Sequence, residues 1–177
     1  VESGKEALQL IKTLIPKGAS VMNGSSVTLE QMGFVEYLKS GDHGWNNLHE
    51  KVLAEKDATR RGMLRRGAAV SDYYLGSVHA LSETGEMVIG SNTGSQQTHL
   101  VYTSPNLILV VSTKKITQTL EAAFQRLREH VFPLEDAHMK QLYGAGTMLN
   151  KTVILHGESP MMHRMVKVIL VKEDLGF

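Results

Sequence analysis

The 177-residue chain contains no cysteine. That absence removes thiol nucleophiles, thiolate zinc sites and iron–sulfur clusters held by this chain, and it fits a reducing compartment. A large excess of one charge is also missing. Nineteen Lys and Arg against eighteen Asp and Glu leave a net charge of +1, too balanced to hold a polyanion by bulk electrostatics, so nucleic acid is not an expected partner. No apolar run approaches the length that spans a bilayer, and the start at Val1 has no basic stretch followed by an apolar signal core. These absences read as a soluble, cytoplasmic protein with no membrane partner. Val1 is not an initiator residue, so residues are expected to precede it.

Several site signatures are missing too. None of the eight histidines belongs to a His-Glu-x-x-His motif or to a pair four apart on a helix; His43 and His49 are six apart. A metal site is therefore not expected. There is no Walker-type lysine, no Gly-x-Gly-x-x-Gly and no nucleophile elbow, which leaves nucleotide binding and Ser-His-Asp catalysis without support.

What is present is 42% hydrophobic residues in a chain of one-domain length, enough to bury roughly 70% of the unfolded surface without a disulfide or metal. A single domain over 1–177 is expected. Ser3 caps a helix over about residues 4 to 15, with Ala7, Leu8, Ile11, Leu14 and Ile15 at helical spacing and Pro16 and Gly18 beyond its end. Ala19 to Met22 reads as a short strand running into Asn23-Gly24-Ser25-Ser26. Thr28 and Gln31 then read as a capping box for a helix closed by Gly41. Residues 46 to 66 suggest one long exposed helix or two shorter ones with a basic end.

Val78 to Leu81 and Met87 to Ile89 read as two strands joined by a turn at Glu83-Thr84-Gly85. Leu107 to Val111 is a continuous apolar run, the best candidate for a strand buried on both faces. A helix carrying Leu120, Ala123, Phe124, Leu127 and Val131 is expected to break at Pro133 before a further short one. Strands at 153–155 and 166–171 close the pattern. The alternation predicts an α/β sandwich with a mainly parallel sheet and an antiparallel edge.

Two loops are candidate ligand sites. Asn23-Gly24-Ser25-Ser26, between a strand and a helix start, can hold a phosphate or carboxylate on free N–H groups and hydroxyls, or can be a plain turn with a helix cap. Glu83-Thr84-Gly85, with Gly90-Ser91-Asn92-Thr93-Gly94-Ser95 downstream, can place a glutamate as base or nucleophile beside anion-holding amides; Glu83 can equally be a solvated turn residue. Arg60, Arg61, Arg65 and Arg66 can clamp an anion or can be a solvated helix end that favours the helix dipole. A carboxylate beside an anionic ligand needs a nearby cation, for which Arg60 and Arg61 are the candidates. His79 in an apolar strand reads as a hydrogen-bonded core residue, and the methionines, Met161, Met162 and Met165 among them, as core filling or a partner-facing edge.

The stretch Ser77-Val-His-Ala-Leu-Ser-Glu-Thr-Gly-Glu-Met-Val-Ile-Gly-Ser-Asn-Thr-Gly-Ser95, the run Leu107 to Val111 and the ending Val168-Ile-Leu-Val-Lys-Glu-Asp-Leu-Gly-Phe177 resemble the LUD (lactate-utilisation) domain family. Ile15 to Val21 and Leu134 to Ala137 resemble its short stand-alone members. The resemblance implies a three-layer Rossmann-like fold similar to glucosamine-6-phosphate deaminase, ribose-5-phosphate isomerase and the CoA transferases, with ligand at the strand C-termini. Members in lactate operons act beside iron–sulfur subunits that oxidise L-lactate to pyruvate; this chain, without cysteine, carries no cluster and is expected to hold no cofactor.

The implied role is binding of a small anionic metabolite in organic-acid utilisation, with a homo-oligomer or redox subunits as protein partners. Glu83 is its candidate catalytic residue. Asn23, Gly24, Ser25, Thr84, Gly85, Gly90, Ser91, Gly94, Ser95, Arg60 and Arg61 are its candidate ligand contacts. A non-catalytic accessory or assembly subunit and an acyl-CoA or sugar-phosphate enzyme are the alternatives.

Overall fold

Leu107 to Val111 lies inside a parallel sheet with both faces covered. All five residues are at most 1% exposed, Ile108 and Val110 facing one core and Leu107, Leu109 and Val111 a second. Alternation at period two explains how one apolar run serves two cores.

The computed structural model describes residues 1–177. In chain order the elements are α1 (Gly4–Leu14), β1 (Ser20–Asn23), α2 (Val27–Gln31), α3 (Phe34–Ser40), β2 (Asn46–Asn47), α4 (Leu48–Ala54), α5 (Ala58–Gly67), β3 (Tyr73–Gly76), β4 (Ala80–Ser82), β5 (Met87–Ser91), β6 (Asn106–Ser112), β7 (Ile116–Thr117), α6 (Leu120–Arg126), α7 (Phe132–Tyr143), β8 (Lys151–Leu155) and β9 (Met165–Val171). A five-stranded sheet has the order β2-β1-β3-β6-β9, and all its pairs are parallel. The antiparallel strands, expected at its edge, instead form a second sheet of order β7-β4-β5-β8.

The result is a Rossmann-like α/β sandwich whose three layers are helices, the parallel sheet and the second sheet, with α6 packed on the outside. Helices α1 to α3 bury Ala7, Ile11, Leu29, Phe34 and Leu38 on one face of the parallel sheet. The second sheet covers the other face through Met87 and Ile89. Behind it, α6 and the turn that follows seat Ala123, Leu127 and Val131 on Ala80 and Val88.

Three local expectations are corrected. The helix expected from Thr28 to Gly41 is two, α2 and α3, because Gly33 at φ 83° reverses the chain between them. The N-cap is Ser26, whose hydroxyl accepts from Leu29 N–H, which frees Thr28 for another contact. Pro133 does not break the helical path: a π-helical stretch at Leu127–Val131 joins α6 to α7, and Pro133 sits in the first turn of α7. A wider turn ahead of it accommodates the missing N–H. The strand β3 was not expected from the sequence because it is only four residues long and ends in glycine. It lies between β1 and β6.

Candidate functional site

Ser112 ends β6, a single 3-10 turn at Thr113–Lys115 follows, and Lys115 turns back toward the end of β3. Its ammonium is buried, 3% exposed. It donates to Thr28 Oγ1 at 2.8 Å, Ser77 Oγ at 3.1 Å and the Val78 carbonyl at 3.3 Å. Every acceptor is neutral, and no carboxylate lies within ion-pair distance. Burial first, then the neighbouring Arg126 and Lys114 charges, pull its pKa down to about 7.

Arg126 donates to the His79 carbonyl at 2.8 Å, and His79 Nδ1 accepts from Gly90 N–H at 2.8 Å. Burial, then Lys115 and Arg126, pull His79 down to about 4, so it is neutral at pH 7. It is hydrogen-bonded, as its pattern suggested, but only partly buried and just ahead of β4. The interior here is electropositive with no counter-charge.

Gly176, at φ 71°, lays its backbone directly over this cage. A Cβ there would collide with Thr28 Oγ1 and stand 2.8 Å from Lys115 Nζ.

The Asn23–Ser26 loop adjoins the cage, because β1 and β3 pair side by side with Asn23 opposite Leu75. Asn23 is 3% exposed; Nδ2 donates to the Gly24 carbonyl, while Oδ1 is buried without a partner. Its own carbonyl accepts from His49 Nδ1 on α4 at 3.0 Å. Ser25 is exposed. Gly24 is needed for close approach: a Cβ would stand 2.5 Å from Tyr74 Oη and 3.1 Å from Gln96 Oε1.

Gln96 in turn donates to the Gly90 carbonyl at 3.0 Å, so it joins the Asn23–Ser26 loop to the Gly90–Ser95 loop. Gly24→Ala is expected to cost about 1–3 kcal/mol by overpacking. Tyr74→Phe removes the colliding hydroxyl and should recover part of that loss in the double variant, read as non-additive midpoints in urea unfolding.

Three amides of the Gly90–Ser95 loop are engaged within the fold. Gly90 N–H goes to His79, Gly94 N–H to Ser91 Oγ at 2.9 Å and Ser95 N–H to Thr93 Oγ1 at 3.4 Å. Gly90 is a packing glycine, since a Cβ would come within 2.5 Å of Leu149 and 3.0 Å of Leu127.

Glu83, Thr84 and Gly85 stand at the opposite end of β5, roughly 13 Å along the strand at its usual rise, and the structure does not bring them to the cage. Glu83 is exposed, and its N–H donates to the Thr117 carbonyl. Gly85 supplies φ 105° for the turn. Thr84 and Ser82 hydroxyls donate to Glu86 and hold that carboxyl well below its usual range, Ser82 more strongly. Arg60 and Arg61 lie exposed on α5, hydrogen-bonded to neither loop.

Sequence reasoning missed Lys115, Ser77 and Arg126 as members of one cluster and took Thr28 for a cap. One signal was present: a lysine four residues beyond the unbroken apolar run Leu107 to Val111 stands at a strand's C-terminal end, where α/β sheets hold ligands.

The floor beneath Gly24 is stiff. Tyr74 stacks on His99 with centroids 4.4 Å apart and planes at 15°. His99 Nδ1 contacts Ser104 Oγ at 2.8 Å, and burial pulls its pKa down to about 4. Arg164, its side chain 5% exposed, donates to the carbonyls of His99, Leu100, Val101 and Ser104 and to Glu158.

The sequence profile of the LUD domain matches residues 1–171. The chain belongs to the LUD domain family. A crystal structure of a DUF162 family protein from Deinococcus radiodurans aligns with 95% of this LUD domain chain and 94% of that one, at 13% identity and a TM-score of 0.38. No protein with a curated description matches it. Family membership makes this a lactate-utilisation-related domain protein. No group of three or more His, Asp or Glu that could hold a metal comes together in the LUD domain, and no helix is long and apolar enough to cross a membrane.

Proposed function

We propose that this LUD domain binds a small organic anion of the hydroxy-acid or oxo-acid kind at the Lys115 cage. The observation that carries the reading is a buried lysine whose three acceptors are all neutral and whose charged neighbours are cations. A carboxylate that takes the place of one of these neutral acceptors would supply the missing counter-charge and accept a charge-assisted hydrogen bond from Lys115. Asn23 Oδ1, buried without a donor, suits a hydroxyl on the same ligand. The Asn23-Gly24-Ser25 loop then forms the wall, and the Gly90 and Ser91 loop supports that wall through Gln96. The family's link to lactate agrees with this chemistry.

A thermal-shift titration tests it. L-lactate or pyruvate at 100 times its dissociation constant should stabilise the fold by about 2.7 kcal/mol, roughly 5–10 °C for a domain of this size. Propionate, lacking the oxygen at carbon 2, should shift it less. Glu83→Gln is expected to leave the shift unchanged, because Glu83 lies at the far end of β5. An equal shift with propionate would remove Asn23 from the site, and loss of the shift in Glu83→Gln would move the ligand to the hairpin.

A further inference from the structure

We propose, resting on the anion reading of the same cage, that Lys115 is also a nucleophile whose amine condenses with the carbonyl carbon of a 2-oxo acid to form a protonated Schiff base. A surface lysine reacts poorly at neutral pH because its amine is almost wholly protonated, and an ion pair with a carboxylate would keep it so. Lys115 has neither handicap. It is 3% exposed, its acceptors are two hydroxyls and a backbone carbonyl, and no carboxylate lies within ion-pair distance. Burial and the neighbouring Arg126 and Lys114 charges, which bring its pKa to about 7, leave a large share of free amine at neutral pH.

The acceptors suit the proton traffic of the reaction. Thr28 and Ser77 hydroxyls stand 2.8 and 3.1 Å from Nζ and 3.4 Å from one another, and a hydroxyl can accept from the ammonium on one side and donate to an oxygen on the other. Nζ forms the bond to carbon 2 while the carbonyl π pair moves to its oxygen, giving a carbinolamine. The carbon–oxygen bond then breaks, the oxygen leaves as water, and the nitrogen lone pair closes the C=N bond. Two of the three ammonium protons end on that water, relayed by the hydroxyls. The iminium keeps the positive charge, so atoms and charge balance without an oxidant or reductant.

The carboxylate of the oxo acid has a second cation to turn to. Arg126 donates through Nη1 alone, to the His79 carbonyl, which leaves the rest of its fork for a carboxylate. The oxo acid approaches from the side of Gly176. That residue covers Nζ with backbone and no side chain, and its N–H is tied to Gln31 Oε1 at 2.6 Å in an exposed contact. Displacing this one residue uncovers the amine.

Sodium cyanoborohydride, which reduces an imine to a stable secondary amine, tests this when added to the full chain with pyruvate at neutral pH, the adduct being located by the masses of proteolytic peptides. The adduct is expected on Lys115 at a level at least about tenfold above that on any exposed lysine. None is expected with L-lactate, which has no carbonyl group. Lys115→Arg keeps the positive charge without a nucleophilic amine and should lose the adduct. The digest of the native chain assigns the lysine directly, so the result stands whether or not that variant folds. A rise in melting temperature with pyruvate and no adduct on Lys115 overturns the Schiff base and leaves the anion site standing. An adduct spread evenly over the exposed lysines overturns it as well. No rise with either anion, together with no adduct, removes both the Schiff base and the anion site.

Discussion

Lys115→Met is expected to abolish organic-anion binding while leaving the domain folded. Removing one partner of a buried charge-assisted contact costs about 2–5 kcal/mol of binding, at least a thirtyfold loss of affinity. The effect on folding runs the other way. An ammonium taken out of water without a counter-charge is a cost to the fold, and an apolar side chain of similar length relieves it. The Thr28 and Ser77 hydroxyls already stand 3.4 Å apart and can close on one another.

The same residue sets a pH dependence. Lys115 titrates at about 7 in the folded chain against an ordinary 10.5, so between those values the unfolded chain holds the proton more tightly. Stability should rise with pH across that window, by at most about 1.4 kcal/mol per unit from this group. Below about 7 the full penalty is present. Urea midpoints from pH 6 to pH 10 should show this rise in the native protein and lose it in Lys115→Met. Because an anion needs the charged form, its affinity should fall as pH rises through about 7, with proton uptake on binding. A Lys115→Met protein that binds lactate normally would end the proposal for this site.

Arg164→Met is expected to destabilise the fold by about 3–5 kcal/mol. One guanidinium serves four carbonyls between His99 and Ser104 and pairs with Glu158 at 2.7 Å. Methionine fills the space and leaves those carbonyls and Glu158 without their donor, a larger penalty than the net worth of the bonds. Arg164→Lys keeps the charge but cannot fork to four acceptors, so it should recover only a part. The π-helical turn at His99–Thr103 positions the ring stacked on Tyr74. The urea midpoint should therefore fall together with the near-ultraviolet signal of Tyr74, and a surface-like change below 0.5 kcal/mol would show that the turn holds itself.

Much of the architecture is legible in the residues alone. The period-3.6 run after Ser3 is α1, the unbroken apolar stretch from Leu107 is β6, and Gly85 marks the turn between β4 and β5. Each signal acts within a few residues of chain, where propensity, capping and side-chain alternation dominate the energy. The Ser77–Ser95 stretch, the Leu107–Val111 run and the ending Val168 to Phe177 together carried the resemblance to the family. Elements that drew their stability from elsewhere were misjudged: β3 is a strand because β1 and β6 flank it, and Pro133 stays in a helical path because a π-helical turn precedes it.

The site belongs to this second kind. Thr28, Ser77 and Lys115 are separated by 49 and 38 positions in the chain and meet only through the sheet order and the turn after β6. Glu83 and Gly90, seven positions apart and both conspicuous, are parted by the rigid length of β5. Composition and spacing determined an α/β sandwich, and the resemblance of particular stretches pointed to its family. Which polar residues share a desolvated interior, and so which charge lacks its partner, was decided by the tertiary structure, because burial and Coulomb interaction depend on distance in space and not on distance along the chain.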